Sequence, residues 1–291
     1  MDFRFSSTML LMAVLPVILA LEKGELLDMS YEFGDTTLFW PGSEAFQFNI
    51  GNRGPSGNFP WYEGNSYSSG EHAGTHLDAP AHFAQGKLRV SDIPVSRLVR
   101  AAVRVDISEK SSLNSDYLMT VKDLQDWEDI NGKIPDDSLL FVYTGWGAFY
   151  PDRLAYFGSA SNDTYLDDEG NSLVHFPGVA PEAASWLVSN RNISGIGIDT
   201  ASIDYGQSTE LQSHQILFEA NIYGLENVAN LDKLPTTGAK VHALPMKIKD
   251  GSGAPVRIVA MLQDEDSTSG TAIILSSALV LTAAVCCALM L

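Results

Sequence analysis

The sequence predicts an α/β or α+β domain built on a central mixed sheet. Three observations predict it: five runs rich in β-branched and apolar residues, helical patterns between some of them, and no linker, repeat or composition break from residue 21 to 263. The runs are AAVRVDI (101–107), SLLFVYTG (138–145), ISGIGIDT (193–200), AKVHALPMKI (239–248) and APVRIVAML (254–262). Each is bounded by Gly, Pro, Asn or Asp, which is how strands are punctuated. TVKDLQDWEDI (120–130) opens on a Thr N-cap, carries acids in its first turn and places Val121, Leu124 and Trp127 at helical spacing. PEAASWLVSN (181–190) starts with Pro at the first helical position and packs Ala184, Leu187 and Val188. The stretch 34–69, rich in Gly, Pro, Asn and aromatics, reads as long loops, which in a compact domain are usually functional.

Composition narrows the function. With 36 acidic against 18 basic residues the chain carries a formal charge of −18, and such a surface repels phosphate backbones, so no nucleic-acid partner is expected. Both ends stand apart from the domain. Residues 1–20 have Arg4 ahead of an apolar run and a small Ala20 at the cleavage point, the pattern of a secretory signal peptide. Residues 264–291 join a small polar segment holding Ser267 and Ser269 to an uncharged tail from Thr271, the layout of a GPI-attachment signal or of a retained membrane anchor. The expected setting is the secretory pathway and the outer face of a membrane. Asn162 and Asn192 begin sequons for glycosylation there. Both cysteines, Cys286 and Cys287, fall in the tail, which leaves the domain without thiolates. A metal would have to be held by His, Asp and Glu.

Half of the six histidines are crowded into EHAGTHLDAPAHF (71–83). His72 and His76 are four apart and Asp78 is two further on; Gly74 and Pro80 argue against a regular helix, yet a tight turn or short helical turn converges the same groups. Two imidazoles and a carboxylate suit Zn²⁺ with a position left open, and Mn²⁺ is chemically acceptable. His82 sits close enough to shuttle a proton without coordinating. Downstream, His214 precedes Glu226 by twelve residues, with apolar residues at helical intervals up to Gly224, which places His214 at a helix start and Glu226 just past its end. His175 and His242 have no such company. Trp40, Trp61, Tyr62 and Phe83 can stack on an aromatic substrate, and Trp40 is the one carried as a substrate-binding residue.

The motif His72-Ala-Gly-Thr-His76-Leu-Asp78-Ala-Pro-Ala-His82-Phe83 meets every fixed position of HxGTHxDxPxHF and resembles the cyclase/kynurenine formamidase-like superfamily, which includes bacterial kynurenine formamidase and isatin hydrolase. FWPG (39–42), TGW (144–146), HFPGVAPEAASWL (175–187) and GIGIDTASID (195–204) are similar to that family's segments as well. The resemblance implies a single domain of the swivelling β/β/α fold and two metal ions, Zn²⁺ first and Mn²⁺ second. One ion would take His72, His76 and Asp78, the other Asp78, His214 and Glu226, with His82 as general acid/base. It further implies a dimer or higher homo-oligomer and an amidohydrolase acting on a small aromatic amide. N-formyl-L-kynurenine is the first substrate expected, because the complete second donor pair leans toward the formamidase branch. An isatin-type cyclic amide, or a cell-surface binding protein that has lost turnover, is the alternative.

Overall fold

The computed structural model describes residues 24–262, so the expected signal peptide and C-terminal anchor segment lie outside the described residues. The chain divides into one unit, Leu27–Ala260, and a second made of the two ends, of which residues 25–26 and 261–262 are extended. In chain order the first half carries β1 (Glu25–Asp28), β2 (Gln47–Ser56), β3 (Phe59–Ser68), β4 (His76–Asp78), β5 (Val99–Asp106), α1 (Ser108–Leu113), β6 (Leu118–Met119) and α2 (Val121–Asn131). The second half carries β7 (Leu139–Tyr143), α3 (Arg153–Phe157), β8 (Gly178–Val179), α4 (Pro181–Asn190), β9 (Gly195–Ile198), α5 (Gln212–Glu219), β10 (Tyr223–Glu226), β11 (Ala239–Pro245) and β12 (Gly253–Leu262).

The expected mixed sheet is present, and it curls. Its order is β1-β12-β11-β5-β7-β9-β10-β4, and β4 also pairs with β12, so the sheet closes on itself as a barrel. β5, β7, β9 and β10 run parallel to one another; β4 runs antiparallel to both its neighbours. Parallel strands covered on both faces read as continuous apolar runs. That is why all of Gly195–Ile198, and Leu139 to Val142, are buried. Val103, Val105, Leu140, Val142, Ile196 and Ile198 form one core with Leu124, Ala184, Leu187 and Leu217 of the covering helices.

All five expected strands form, as do the expected helices at 120–130 and 181–190. Thr120 caps α2, its hydroxyl accepting from the Asp123 amide while the Asp123 carboxylate accepts from the Thr120 amide. In α4 the buried residues are Ala183, Ala184 and Leu187, and Val188 instead faces solvent, 37% exposed. The expected loop at 34–69 is corrected: most of it is the β2–β3 hairpin, turning at Gly57. It was hidden because nearly every residue of both strands is exposed, so no alternation marks a buried face.

Candidate metal centre

The histidine motif is neither helix nor plain loop. His76 and Asp78 are two apart in β4, where alternate side chains share a face, and His76 Nε2 lies 3.1 Å from Asp78 Oδ1. Ahead of the strand, Gly74 turns the chain at φ 56°, and a Cβ there would meet the Phe33 ring at 2.9 Å, so glycine is the residue that fits. The turn returns His72 to the same carboxylate, with Nδ1 2.6 Å from Asp78 Oδ1. After Asp78, Pro80 starts a single 3₁₀ turn, Pro80–His82. It lays the His82 ring over His72, centroids 3.8 Å apart and planes 19° from parallel.

The second half of the site arrives on β10 and α5. Antiparallel pairing sets Glu226 opposite His76 and Gly224 opposite Asp78. The expected helix running to Gly224 is corrected: α5 ends at Glu219, Asn221 takes a left-handed φ of 57°, and Tyr223–Glu226 is strand. The apolar spacing continued past the helix because β10 is itself buried. His214, near the start of α5 as expected, has Nε2 3.0 Å from Glu226 Oε1 and 3.4 Å from Asp78 Oδ2. His76 Nε2 lies 3.4 Å from Glu226 Oε2. All six residues expected at the site therefore meet around Asp78. Two overlapping groups have their donor atoms within mutual ligand range, His72–Asp78–His82 and His76–Asp78–Glu226. They cut across the two expected sets, leave His214 outside both, and bring His82 within ligand range as well as stacked over His72.

The hydrogen bonds on the far ring nitrogens determine what this cluster can hold. The Nδ1 of His76 faces the Gly74 carbonyl at 2.9 Å, and the Nδ1 of His214 faces Asp204 Oδ2 at 2.7 Å. If each Nδ1 carries the proton it donates there, each Nε2 presents a lone pair to buried carboxylates. Asp204 also accepts from the Ser213 and His214 amides, so one carboxylate caps α5 and orients the ring. Asp78, Asp204 and Glu226 are all buried, and among the described residues no Lys or Arg lines the cavity above them. Buried anions without a cation are costly, and the cluster calls for positive charge. The shifts that the buried charges impose on one another point the same way. Burial opposes charge on His76, yet Asp78 and Glu226 push it up to about 10. His214 is likewise held well above its ordinary value against burial, chiefly by Asp204. Asp78 stays well below the carboxylate range despite burial, because His72 and His76 face it. A divalent cation satisfies the same donors, so the residues present fit a metal. His82 behaves oppositely: burial pushes it down to about 4, with Asp78 only partly restoring it. Its imidazole is then neutral at neutral pH and able to accept a proton.

Above the donors lies a cavity of ≈ 210 Å³ walled by Phe39, Trp40, Phe83 and Phe157. Trp40 lines this cavity, braced edge-on by Phe157 and Phe176 and tilted against Tyr165. Trp61 and Tyr62 do not reach it; both are exposed on β3. Sequence reasoning missed Asp204 and Asn227. Asn227 lines the cavity and donates to the Gly74 carbonyl that His76 also faces, but no spacing rule connects residues so far apart.

The closed barrel thus sets buried imidazoles and carboxylates, a donor set that fits a divalent metal, under an aromatic cavity. The chain belongs to the Cyclase family, whose model matches residues 27–205. It is 34% identical over 212 residues to isatin hydrolase of Roseibium aggregatum, covering 70% of this chain and 76% of that one. Kynurenine formamidase of Bacillus cereus is 26% identical over 247 residues, covering 82% and 98%. The solved structure of isatin hydrolase A from Ralstonia solanacearum superposes with a TM-score of 0.74 at 30% identity, covering 90% of this chain and all of that one. Of these relatives, the isatin hydrolases are the more similar, against the expected lean toward the formamidase branch.

Proposed function

We propose that the chain hydrolyses the amide bond of a small, uncharged aromatic amide of the isatin type, using divalent metal held by His72, His76, Asp78, His214 and Glu226. The observation that carries this reading is the cavity itself. Its walls are mainly aromatic and aliphatic, with Ser43, Ser202 and Asn227 as neutral polar groups, its floor is the donor cluster, and among the described residues no Lys or Arg lines it. A flat neutral ring is matched by Trp40 and Phe157. Among the described lining residues, the amino-acid carboxylate of N-formyl-L-kynurenine would find no Lys or Arg to pair with. That substrate is the second reading, favoured by the complete His214–Glu226 pair.

When bound, the metal would polarise the scissile carbonyl and render a water acidic near neutral pH, work that Zn²⁺ and then Mn²⁺ best suit. Water adds to the amide carbon and the carbon–nitrogen bond breaks. His82 takes the proton from the attacking water and returns it to the departing aryl nitrogen, which is a poor leaving group as an anion. Trp40 holds the ring against the wall, and the apolar lining excludes other water. The neutral imidazole that burial imposes on His82 supports the first proton transfer.

The setting proposed is the outer face of a membrane, reached through a signal peptide at 1–20 and held by the segment 264–291, with the chain assembled as a homo-oligomer. The test uses full-length protein with isatin and N-formyl-L-kynurenine, before chelation, after it, and after Zn²⁺ or Mn²⁺ is returned. Metal-restored turnover of isatin above that of the formamide is the expected result. Turnover of neither substrate with metal bound would sink the assignment.

A further inference from the structure

His76 and His214 have obvious partners on their second nitrogens; the partner of His72 is less obvious. Its Nε2 lies 3.1 Å from Ser252 Oγ, just before β12. That hydroxyl has one proton, and it is committed: Ser252 Oγ donates to Glu71 Oε2 at 2.7 Å. The same oxygen accepts from the Ser252 amide at 3.0 Å and the Gly253 amide at 3.2 Å. The Ser252 carbonyl accepts in turn from Ala79 N–H at 2.8 Å, so the short segment is tied to the histidine motif at both ends. With its proton given to Glu71, Ser252 Oγ is left as an acceptor, and His72 must donate from Nε2. Its Nδ1 is then left to face Asp78 Oδ1, 2.6 Å away, where the pair can share a proton or a metal ion. Gly253 completes the seat. A Cβ there would come within 2.4 Å of His72 Cε1, so the ring lies directly on the backbone.

We infer that Glu71 and Ser252 form a relay that fixes the tautomer and direction of His72 and thereby strengthens its hold on a metal ion. The inference rests on the metal reading above. Neither residue touches the substrate cavity, so both are positioning residues. Supporting groups of this kind are worth about 10–100-fold in metal affinity.

The test is Zn²⁺ affinity by competition with a chromophoric chelator, on full-length wild type, S252A, S252T and E71Q, with the melting temperature of each metal-free protein alongside. S252A and E71Q are expected to bind Zn²⁺ about 10–100-fold more weakly, S252A with its metal-free melting temperature unmoved, and S252T, which keeps the hydroxyl, to restore affinity. Wild-type affinity in both S252A and E71Q overturns the relay while leaving the metal reading standing. Wild type that takes up no Zn²⁺ overturns the metal reading, and this inference with it.

Discussion

His72 and His76 are four residues apart, yet the protein holds them by different means. His76, like His214, is almost wholly enclosed, with side-chain exposures of 2% and 3%, and each meets a buried group on its far nitrogen. His72 is 23% exposed and rests against a hydroxyl, a glycine and the face of His82. The inner half of the centre is built from the same contacts as the barrel and α5. The outer half is a clamp added at the cavity floor. The contrast teaches that an imidazole can be fixed by the fold or by a local brace, and that the two should fail differently.

The largest expected effect comes from the residue both halves share. Asp78→Asn should cost hydrolysis on the order of 10³-fold, several kcal/mol of transition-state stabilisation, and should empty the centre by metal analysis. Loss confined to one half would break the comparison at its hinge. Next is His82→Ala, which should lower turnover by about 10²–10⁴-fold with bound metal unchanged. If metal leaves with the imidazole, His82 is a ligand and the outer half has three donors. Asp204→Asn should weaken metal binding by about 10–100-fold and also cost about 1 kcal/mol of stability, since the carboxylate caps α5 as well as orienting His214. Set beside S252A, whose metal-free melting temperature should not move, that double effect is the signature of a ligand held by the fold.

The smallest effect, remote from the metal, serves as the reference. Asp123 caps α2 and accepts from Lys110, Thr120 and Tyr117. Burial alone would raise its carboxyl, but the hydrogen bonds from Lys110 and Thr120 hold it below the ordinary value. A carboxyl depressed in the folded state stabilises fully above its unfolded value, about pH 4, and that stability is lost as pH falls through the folded value. Asp123→Asn should therefore lower stability by about 1 kcal/mol at neutral pH, flatten the acid limb of a melting-temperature profile, and leave Zn²⁺ affinity alone.

What the sequence made legible follows from where the interactions lie along the chain. His72, His76, Asp78 and His82 stood out because one short stretch carries them, whatever its secondary structure. Glu226 did not stand out by spacing, since a strand rather than a helix end delivers it, and only the resemblance named it. Asp204, Asn227 and Ser252 were out of reach because their partners are brought together by β10, α5 and β12, and no local pattern encodes that meeting. For the fold, parallel strands buried on both faces betrayed themselves as apolar runs. Closure of the barrel did not, since it depends on three residues of β4 finding two neighbours at once. The hairpin escaped because its exposed aromatics, Phe48, Phe59 and Trp61 among them, follow no buried period.

That three-residue strand has a wider consequence. β4 is the stave that shuts the barrel, bonded to β10 on one side and β12 on the other, and two of its three side chains are His76 and Asp78. The seam of the container and the floor of the reaction chamber are one object. Chemistry here can diversify through the cavity walls, at Trp40 or Phe157, without disturbing the vessel, whereas a change of donor at the seam is also a change of architecture.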